Sequence, residues 1–244
     1  MPFTLKRWFK QHSHSPVFKS LAGFGRALNR LYENRNHDPH SNGEVTVLKR
    51  LAAQLPAVII DGGANIGDYA ELAAQNCPTA SIYAFEPVKS TFEKLCENVK
   101  GQKNISPINH GLYKEACTKD IYTFKHHTHS SIFDFQQTVS YQAKGTEKIS
   151  LVRGDDFLEE QQISEVDLLK LDVEGAEYDA LLGFEQALTQ GRIKAIQFEY
   201  GYINITTKKL LVDYYQYLGD KGYVLGKIFP KKVEIREYRF RHED

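Results

Sequence analysis

The stretch VIIDGGANIGD, residues 58–68, decides how the rest of the chain is interpreted. Its apolar residues predict a buried strand, its glycines a tight turn, and the residues after Gly67 a helix. A strand, a glycine-rich turn and a helix in this order form the first unit of a Rossmann-like α/β fold, whose turn binds a nucleoside-containing ligand. We therefore assign Asp61, Gly62, Gly63 and Gly67 to a cofactor-binding turn.

Asp61 ends this strand and indicates which ligand the turn suits. The dinucleotide pattern GxGxxG would need a glycine at position 64, where the chain has Ala64. A carboxylate at position 61 would repel a pyrophosphate, but it attracts a donor that carries an ammonium and a sulfonium group. The turn therefore favours S-adenosyl-L-methionine over NAD, and an NAD-type oxidoreductase is the weaker alternative.

A second acid, Glu86, ends the next apolar run, IYAFEP at residues 82–87. A carboxylate at the tip of the second strand accepts hydrogen bonds from the ribose hydroxyls of an adenosine. Both cofactors contain an adenosine, so Glu86 supports a nucleoside ligand without choosing between them. The third run ends near His110, where we expect the adenine edge to meet the protein.

Outward from this unit, short apolar runs alternate with amphipathic stretches, which predicts a parallel sheet with helices on both faces. The expected strands span residues 57–61, 81–86, 105–111, 168–172 and 195–200. The expected helices span residues 44–55, 68–75, 90–99, 177–188 and 208–218. Two further strands, 223–227 and 233–239, have no helix between them and predict a C-terminal antiparallel hairpin. The prediction as a whole is a Rossmann-like α/β fold with a mostly parallel seven-stranded sheet.

The pattern divides the chain into a basic N-terminal helical extension, residues 1–44, and a Rossmann-like domain, residues 45–244. An insertion at about 113–148 interrupts the alternation, with extra strands expected at 121–124 and 148–153. Because loops beyond the carboxyl ends of strands build the sites of such sheets, we interpret the insertion as a lid or acceptor-binding element. A plain surface excursion is the alternative.

The extension contains an amphipathic pattern, in which basic residues lie between apolar residues at helical spacing. The apolar positions are Phe18, Leu21, Phe24, Leu28 and Leu31. Residues 1–37 contain seven basic side chains and one acidic one, a net charge of +6, whereas the whole chain has a net charge of zero. This helix either packs on the main domain as a cap or contacts a membrane surface or a partner protein. The balanced total gives no indication of nucleic-acid binding.

Cysteine usage and hydropathy predict a cytoplasmic protein. Three cysteines without metal-ligand spacing argue against a disulfide framework and favour a reducing compartment. No apolar run is long enough to span a membrane, and we expect no secretory signal. His126, His127 and His129 lie close together in the insertion without a matched ligand on a rigid element, so we predict no metal site. One of these histidines could instead contact the acceptor or act as a base. The oligomeric state is not indicated.

A second distinctive segment, DLLKLDVEGAEY at residues 167–178, is followed by LLGF at 181–184. Together with the first turn and the pair Glu86-Pro87, these motifs resemble those of the FkbM-type methyltransferases over about residues 58–223. The resemblance implies a class I methyltransferase fold, S-adenosyl-L-methionine as donor, and a hydroxyl of a sugar or other small molecule as acceptor. It also implies that Asn65 binds the cofactor with the other residues of the first turn, and that Asp172 and Glu174 face this site. It matches Ser130 and Ser131 to a serine-containing patch of the family's insertion.

Methyl transfer to a hydroxyl requires a base that removes the hydroxyl proton as the new bond forms. Three acids near the expected acceptor position are candidates: Asp172, Glu174 and Glu199. We interpret Glu174 as the base, with stabilisation of a helix N-terminus as its alternative role. Asp172 would hold the donor's ammonium group or orient the acceptor. A non-catalytic binding or scaffold protein is the remaining alternative, against which the intact set of acids argues.

Overall fold

The computed structural model describes residues 3–124, 130–133, 143–201 and 203–239. Tertiary contacts divide the chain into two units. The larger comprises Val47–Lys227 and Ile235–Asp244, and the smaller comprises Met1–Thr46 and Ile228–Glu234. Within the described ranges, no helix combines the length and the apolar character that crossing a membrane requires.

The helices of the described ranges are α1 (Phe3–Gln11), α2 (Pro16–Tyr32), α3 (Glu44–Ala52), α4 (Asp68–Asn76), α5 (Lys89–Asn98), α6 (Gly154–Glu160), α7 (Glu177–Gly183), α8 (Glu185–Thr189), α9 (Asn204–Thr207) and α10 (Leu211–Gly219). The strands are β1 (Val58–Gly62), β2 (Ser81–Phe85), β3 (Ile105–Ile108), β4 (Gly111–Tyr113), β5 (Cys117–Phe124), β6 (Ala143–Arg153), β7 (Leu168–Leu171), β8 (Ile196–Phe198), β9 (Gly226–Phe229) and β10 (Lys232–Ile235).

The larger unit is built on a five-stranded parallel sheet in the order β3-β2-β1-β7-β8. Parallel pairing brings all five carboxyl ends to one edge, and the strand order reverses at β1, which is where ligands bind in such sheets. The predicted Rossmann-like fold is confirmed, but the prediction of seven strands in one sheet is wrong. Because only Pro230 and Lys231 separate β9 from β10, these strands pair with each other as the predicted hairpin and form a separate two-stranded sheet.

Helices cover both faces of the sheet, as its apolar strands require. Ile60, Leu169 and Leu171 point to one face and are buried in a cluster with residues of α6, α7, α8 and α10. Asp61 and Lys170 alternate with them and point to the other face, where α4 contacts β1, β2 and β3. Each apolar side chain buried in this way contributes about 1.5–3 kcal/mol to the stability of the folded chain. The sheet that positions the site residues is therefore held by a buried core.

The insertion forms a three-stranded sheet in the order β4-β6-β5, with β4 parallel and β5 antiparallel to β6. Ile121, Ile149 and Leu151 of this sheet share a core with Val88, which follows β2, and Ala176, which follows β7. The insertion therefore packs on the segments that leave the carboxyl edge of the central sheet. The two predicted extra strands are confirmed, and both begin earlier than predicted.

Two predicted elements are divided in the structure. The strand predicted at 105–111 ends at Ile108, and Gly111 begins β4 of the second sheet. Asn109 turns the chain between them, because its side-chain amide donates to two carbonyl groups after β2, at 2.9 and 3.1 Å. The helix predicted at 177–188 is interrupted at Phe184, and α6 was not predicted.

The smaller unit contains α1, α2 and the polar segment that follows them. Ser15 Oγ caps α2 by accepting a hydrogen bond from the N–H of Phe18 at 3.5 Å. The rings of Phe9 and Phe18 meet edge to face at 5.5 Å. The side-chain amide of Asn34 donates to the carbonyl of Ile228 at 3.0 Å. No residue of α2 is buried, so its apolar stripe stays exposed.

Candidate active site

The turn between β1 and α4 uses its backbone N–H groups within the protein. Those of Gly63 and Ala64 donate to the carbonyl of Phe85 at 3.0 and 2.8 Å. The N–H of Asn65 donates to the carboxyl group of Glu86 at 3.1 Å. A helix N-terminus binds a pyrophosphate through N–H groups of this kind. These three are already engaged, which argues against a dinucleotide at this turn.

Gly63 and Gly67 are required by the packing of the protein itself. Gly63 has φ 80°, and a Cβ at this position would lie 1.8 Å from the carbonyl oxygen of Asp172. Gly67 has φ 103°, and its Cβ would lie 2.8 Å from Leu95 of α5. The carbonyl of Gly62 accepts a hydrogen bond from the N–H of Asp172 at 2.9 Å. Gly63 therefore lets the first turn lie directly against the segment after β7, and Gly67 lets it lie against α5.

Asp61 is fully buried at the end of β1, and the ammonium group of Lys170 lies 3.0 Å from its Oδ1. Burial raises the pKa of Asp61, while the lysine acts in the opposite direction. The same ammonium group lies 3.6 Å from Asp172 and 4.7 Å from the centre of the Tyr69 ring. Lys170 therefore links two of the predicted site acids. The sequence analysis missed it, although a single cation in the apolar run LLKL was the available signal.

Two acceptor atoms at this turn, Asp61 Oδ2 and Asn65 Oδ1, are shielded from solvent and have no hydrogen-bond partner among the described residues. Buried acceptors are rarely left in this state, because they lose their bonds to water without replacement. Both belong to the turn at the switch point of the sheet, where ligands bind. The turn therefore offers two acceptors to a ligand with N–H or O–H groups.

Glu86 is buried just after β2 and accepts hydrogen bonds from the N–H groups of Asn65 and Val88, at 3.1 and 2.9 Å. Burial raises the pKa of Glu86 to about 7, although these two hydrogen bonds act to lower it. The carboxyl group is thus fixed at the tip of the second strand, which is the position from which we predicted contact with the ribose hydroxyls.

The segment that follows β7, residues 172–177, carries three acids, of which Glu177 is fully buried. Glu177 accepts hydrogen bonds from the N–H groups of Val173 and Gly175 at 2.9 and 3.1 Å, and burial raises its pKa to about 7. Glu177 is the first residue of α7, and its carboxyl group also fixes the loop before the helix. That loop carries the candidate base Glu174, whose backbone has φ 52°.

Glu199 follows β8 and completes the acid cluster, which consists of Asp172, Glu174, Glu177 and Glu199. Glu199 is exposed as a residue, but its carboxyl group faces the cluster and donates a hydrogen bond to Asp172. Local burial and the neighbouring carboxylates raise the pKa of Glu199 to about 9, so it carries its proton at neutral pH. The structure therefore brings the three predicted catalytic acids together.

Ser131 connects the insertion to the acid cluster. Its hydroxyl donates to the carbonyl of Glu174 at 2.6 Å and accepts a hydrogen bond from the N–H of Phe133 at 3.1 Å. Its backbone exchanges two hydrogen bonds with Tyr122 of β5. A residue other than glycine is strained at positive φ and needs support from its surroundings. Ser131 supplies that support to Glu174 from the insertion.

We predicted that His110 meets the adenine edge, and in the structure it lies at the border of a recess. It lines a cavity of about 480 Å³ on the face of β2 and β3 that α6 covers, together with Tyr83 and Phe157. The predicted loop histidines His126, His127 and His129 lie outside the described residues. Among the residues that are described, no group of three His, Cys, Asp or Glu side chains is arranged to hold a metal ion.

Comparison with known proteins identifies relatives among methyltransferases. The chain is 28% identical over 205 residues to the hexuronic acid methyltransferase AglP of Haloferax volcanii, which covers 81% of this chain and 80% of that protein. It is 30% identical over 151 residues to Methyltransferase 1 of Beauveria bassiana, which covers 52% of this chain and 58% of that protein.

The chain is also similar to two solved structures and to one family model. The precorrin-6y C5,15-methyltransferase from Geobacter metallireducens is 14% identical with a TM-score of 0.39, covering 78% of this chain and 82% of that one. Fibrillarin from Aeropyrum pernix, in complex with natively bound S-adenosyl-L-methionine, is 15% identical with a TM-score of 0.38, covering 86% and 71%. The model of the methyltransferase FkbM domain matches residues 61–225, more than half of the chain. With the two turns described above inside the matched region, the chain belongs to the FkbM methyltransferase family.

Proposed function

We propose that this methyltransferase transfers the methyl group of S-adenosyl-L-methionine to a hydroxyl group of a sugar. The observation that carries the proposal is the pair of buried acceptors, Asp61 Oδ2 and Asn65 Oδ1, beside a turn whose N–H groups are already engaged. This combination suits a cationic ligand with N–H donors and disfavours a pyrophosphate. NAD is therefore the weaker candidate for the same turn.

The residues around the first turn fit this donor. Asp61 and Asn65 would accept hydrogen bonds from its ammonium group, and Glu86 from its ribose hydroxyls. Lys170 lies between the carboxylates of Asp61 and Asp172, at 3.0 and 3.6 Å, so one cation faces two acids and the local charge favours a cationic ligand. When bound, the donor supplies a methyl group already activated by its sulfonium.

The acid cluster would receive the proton of the acceptor. Glu199 holds its own proton at neutral pH, and Asp172 accepts the hydrogen bond from it. Glu174 is then the best general base among the three candidates, because Glu177 fixes its loop from one side and Ser131 holds its carbonyl from the other. Fixing the loop favours transfer, since in-line displacement needs the acceptor oxygen held about 3–3.5 Å from the methyl carbon.

A sugar acceptor is supported by the similarity to a hexuronic acid methyltransferase over about four fifths of both chains. A hexuronic acid offers two kinds of oxygen: methylation of a hydroxyl gives an ether, and methylation of the carboxylate gives an ester. Methylation of the hydroxyl needs a base, whereas methylation of the carboxylate does not. The acid cluster would also repel the carboxylate of the sugar if that group were placed beside it as the acceptor. The hydroxyl is therefore the proposed acceptor.

Methyl transfer with isotopically labelled donor tests the proposal. The purified protein is incubated with a hexuronic acid or a neutral hexose, and the products are analysed by mass spectrometry before and after mild base. We expect a base-stable methyl ether. Glu174→Gln should lower the rate by about 100-fold or more, while Glu165→Gln, a change of an exposed acid ahead of β7, should not. A base-labile ester, or no transfer to any sugar, would contradict the proposed acceptor.

A further inference from the structure

The helix α2 presents an apolar stripe to solvent. Leu21, Phe24, Leu28 and Leu31 recur at helical spacing, and their side chains are 49–78% exposed. Val17 and Tyr32 extend the stripe at its two ends and are 67% and 74% exposed. None of the 17 residues of this helix is buried. Contiguous exposed apolar surface of this kind marks a site of interaction with a protein or a membrane.

The opposite face of α2 is basic. At 3.6 residues per turn, Lys19, Arg26 and Arg30 fall within about 40° of one another, on the side away from the apolar stripe. The preceding helix α1 adds three more basic residues, and neither helix contains an acidic one. An apolar stripe backed by cations without acids is the pattern of helices that lie in a membrane interface.

We propose that α1 and α2 bind the surface of a bilayer that contains anionic lipids. The stripe of α2 lies at the boundary between headgroups and acyl chains, and the six basic residues of the two helices are attracted to the lipid phosphates. Charge selects this occupant, since an uncharged apolar partner would gain nothing from the cations. The binding would hold the methyltransferase at a lipid surface, and it is independent of which donor or acceptor the enzyme uses.

Trp8 provides a direct probe, because it is the single tryptophan of the chain and lies in α1 with half of its side chain exposed. The full-length protein is titrated with vesicles of phosphatidylglycerol and phosphatidylcholine and, separately, with vesicles of phosphatidylcholine alone. We expect a blue shift of tryptophan fluorescence and co-sedimentation with the anionic vesicles, both reduced at high salt. Equal binding to the neutral vesicles, or no binding to either, would overturn the proposal.

Matched variants separate the electrostatic and the apolar contributions to membrane binding. Arg26→Gln/Arg30→Gln should weaken partitioning by about fivefold for each charge removed, whereas Arg26→Lys/Arg30→Lys should bind within about twofold of the native chain, since the charge is retained. Phe24→Ser/Leu28→Ser should weaken it by about tenfold or more. Circular dichroism checks that each variant keeps its helix content. Unchanged binding of the serine or glutamine variants, or a dimer in light scattering without vesicle binding, would overturn the proposal.

Discussion

The two turns that meet at the carboxyl edge of the central sheet, residues 61–67 from the end of β1 and 172–176 after β7, are built in different ways. The first satisfies its backbone with the end of β2 and depends on glycines at 63 and 67. The second depends on side chains from three other places: Glu177 in α7, Glu199 after β8 and Ser131 in the insertion. The first turn is therefore held by neighbouring strands of the central sheet, while the acid cluster also receives a hydrogen bond from the insertion.

The largest effect is expected from Gly63→Ala, which disrupts the contact between the two turns. The added Cβ would lie 1.8 Å from the carbonyl oxygen of Asp172 at a φ of 80°, so we expect a loss of about 5 kcal/mol or more in unfolding free energy. Gly191→Ala is the matched control, with φ 67° and no atom within 4 Å of its Cβ, and should cost about 1 kcal/mol. Chemical denaturation measures both variants. Similar losses of unfolding free energy in Gly63→Ala and Gly191→Ala would show that the two turns are not in close contact.

The second largest effect is expected at Lys170, which lies between the two turns. Lys170→Met leaves the buried Asp61 without its cation, and removing one partner of a buried pair costs about 3–5 kcal/mol. Asp61→Asn/Lys170→Met removes both charges and should recover most of this stability. The comparison is made by urea denaturation at pH 7. A double variant no more stable than the single one would mean that the ion pair does not hold the turns together.

The hydrogen bond from Ser131 of the insertion to Glu174 allows the two turns to be tested separately, because it is made to the second turn. Ser131→Ala frees the carbonyl of Glu174, and we expect kcat to fall by about 10- to 100-fold. The Kd for the donor should stay the same, since the hydrogen bonds of Ser131 go to Glu174, Phe133 and Tyr122. Ser130→Ala is the neighbouring control, and Ser131→Thr keeps the hydroxyl. A parallel loss of donor affinity in Ser131→Ala would contradict the separation of the two turns.

The smallest expected effect is the pH dependence of stability. The pKa values of Glu86 and Glu177 are raised to about 7 and that of Glu199 to about 9, from an ordinary 4.5. The folded protein therefore binds more protons than the unfolded chain between these values, and its stability falls as the pH rises through this window. Thermal denaturation of the ligand-free protein at pH 6, 7 and 8.5 measures the fall. Glu199→Gln should flatten the part above pH 7, and an unchanged slope would contradict its raised pKa.

The structure of the first turn could be predicted because its strand, glycines and acids are adjacent in the sequence, and Glu86 follows the very next strand. The acid cluster could be predicted only in part. The motif after β7 supplied Asp172 and Glu174, but the raised pKa of Glu199 depends on acids from another strand, and the support from Ser131 depends on a distant insertion. Contacts between distant segments leave no local pattern to recognise.

The same reason explains the errors in the fold. An apolar run predicts a strand without indicating which sheet it joins, so the break at Asn109 and the separate pairing of β9 with β10 could not be read from periodicity. The elements themselves were mostly predicted, because they depend on local spacing.

Calorimetric titration of the native and Asp61→Asn proteins tests most directly the central claim that the first turn binds a cationic adenosine donor through Asp61. We expect the native protein to bind S-adenosyl-L-methionine and S-adenosylhomocysteine but not NAD. The variant should bind S-adenosyl-L-methionine at least about tenfold more weakly, since a loss of 1.4 kcal/mol is tenfold in affinity. Binding of NAD by the native protein, or unchanged donor affinity in a folded Asp61→Asn protein, would contradict the account.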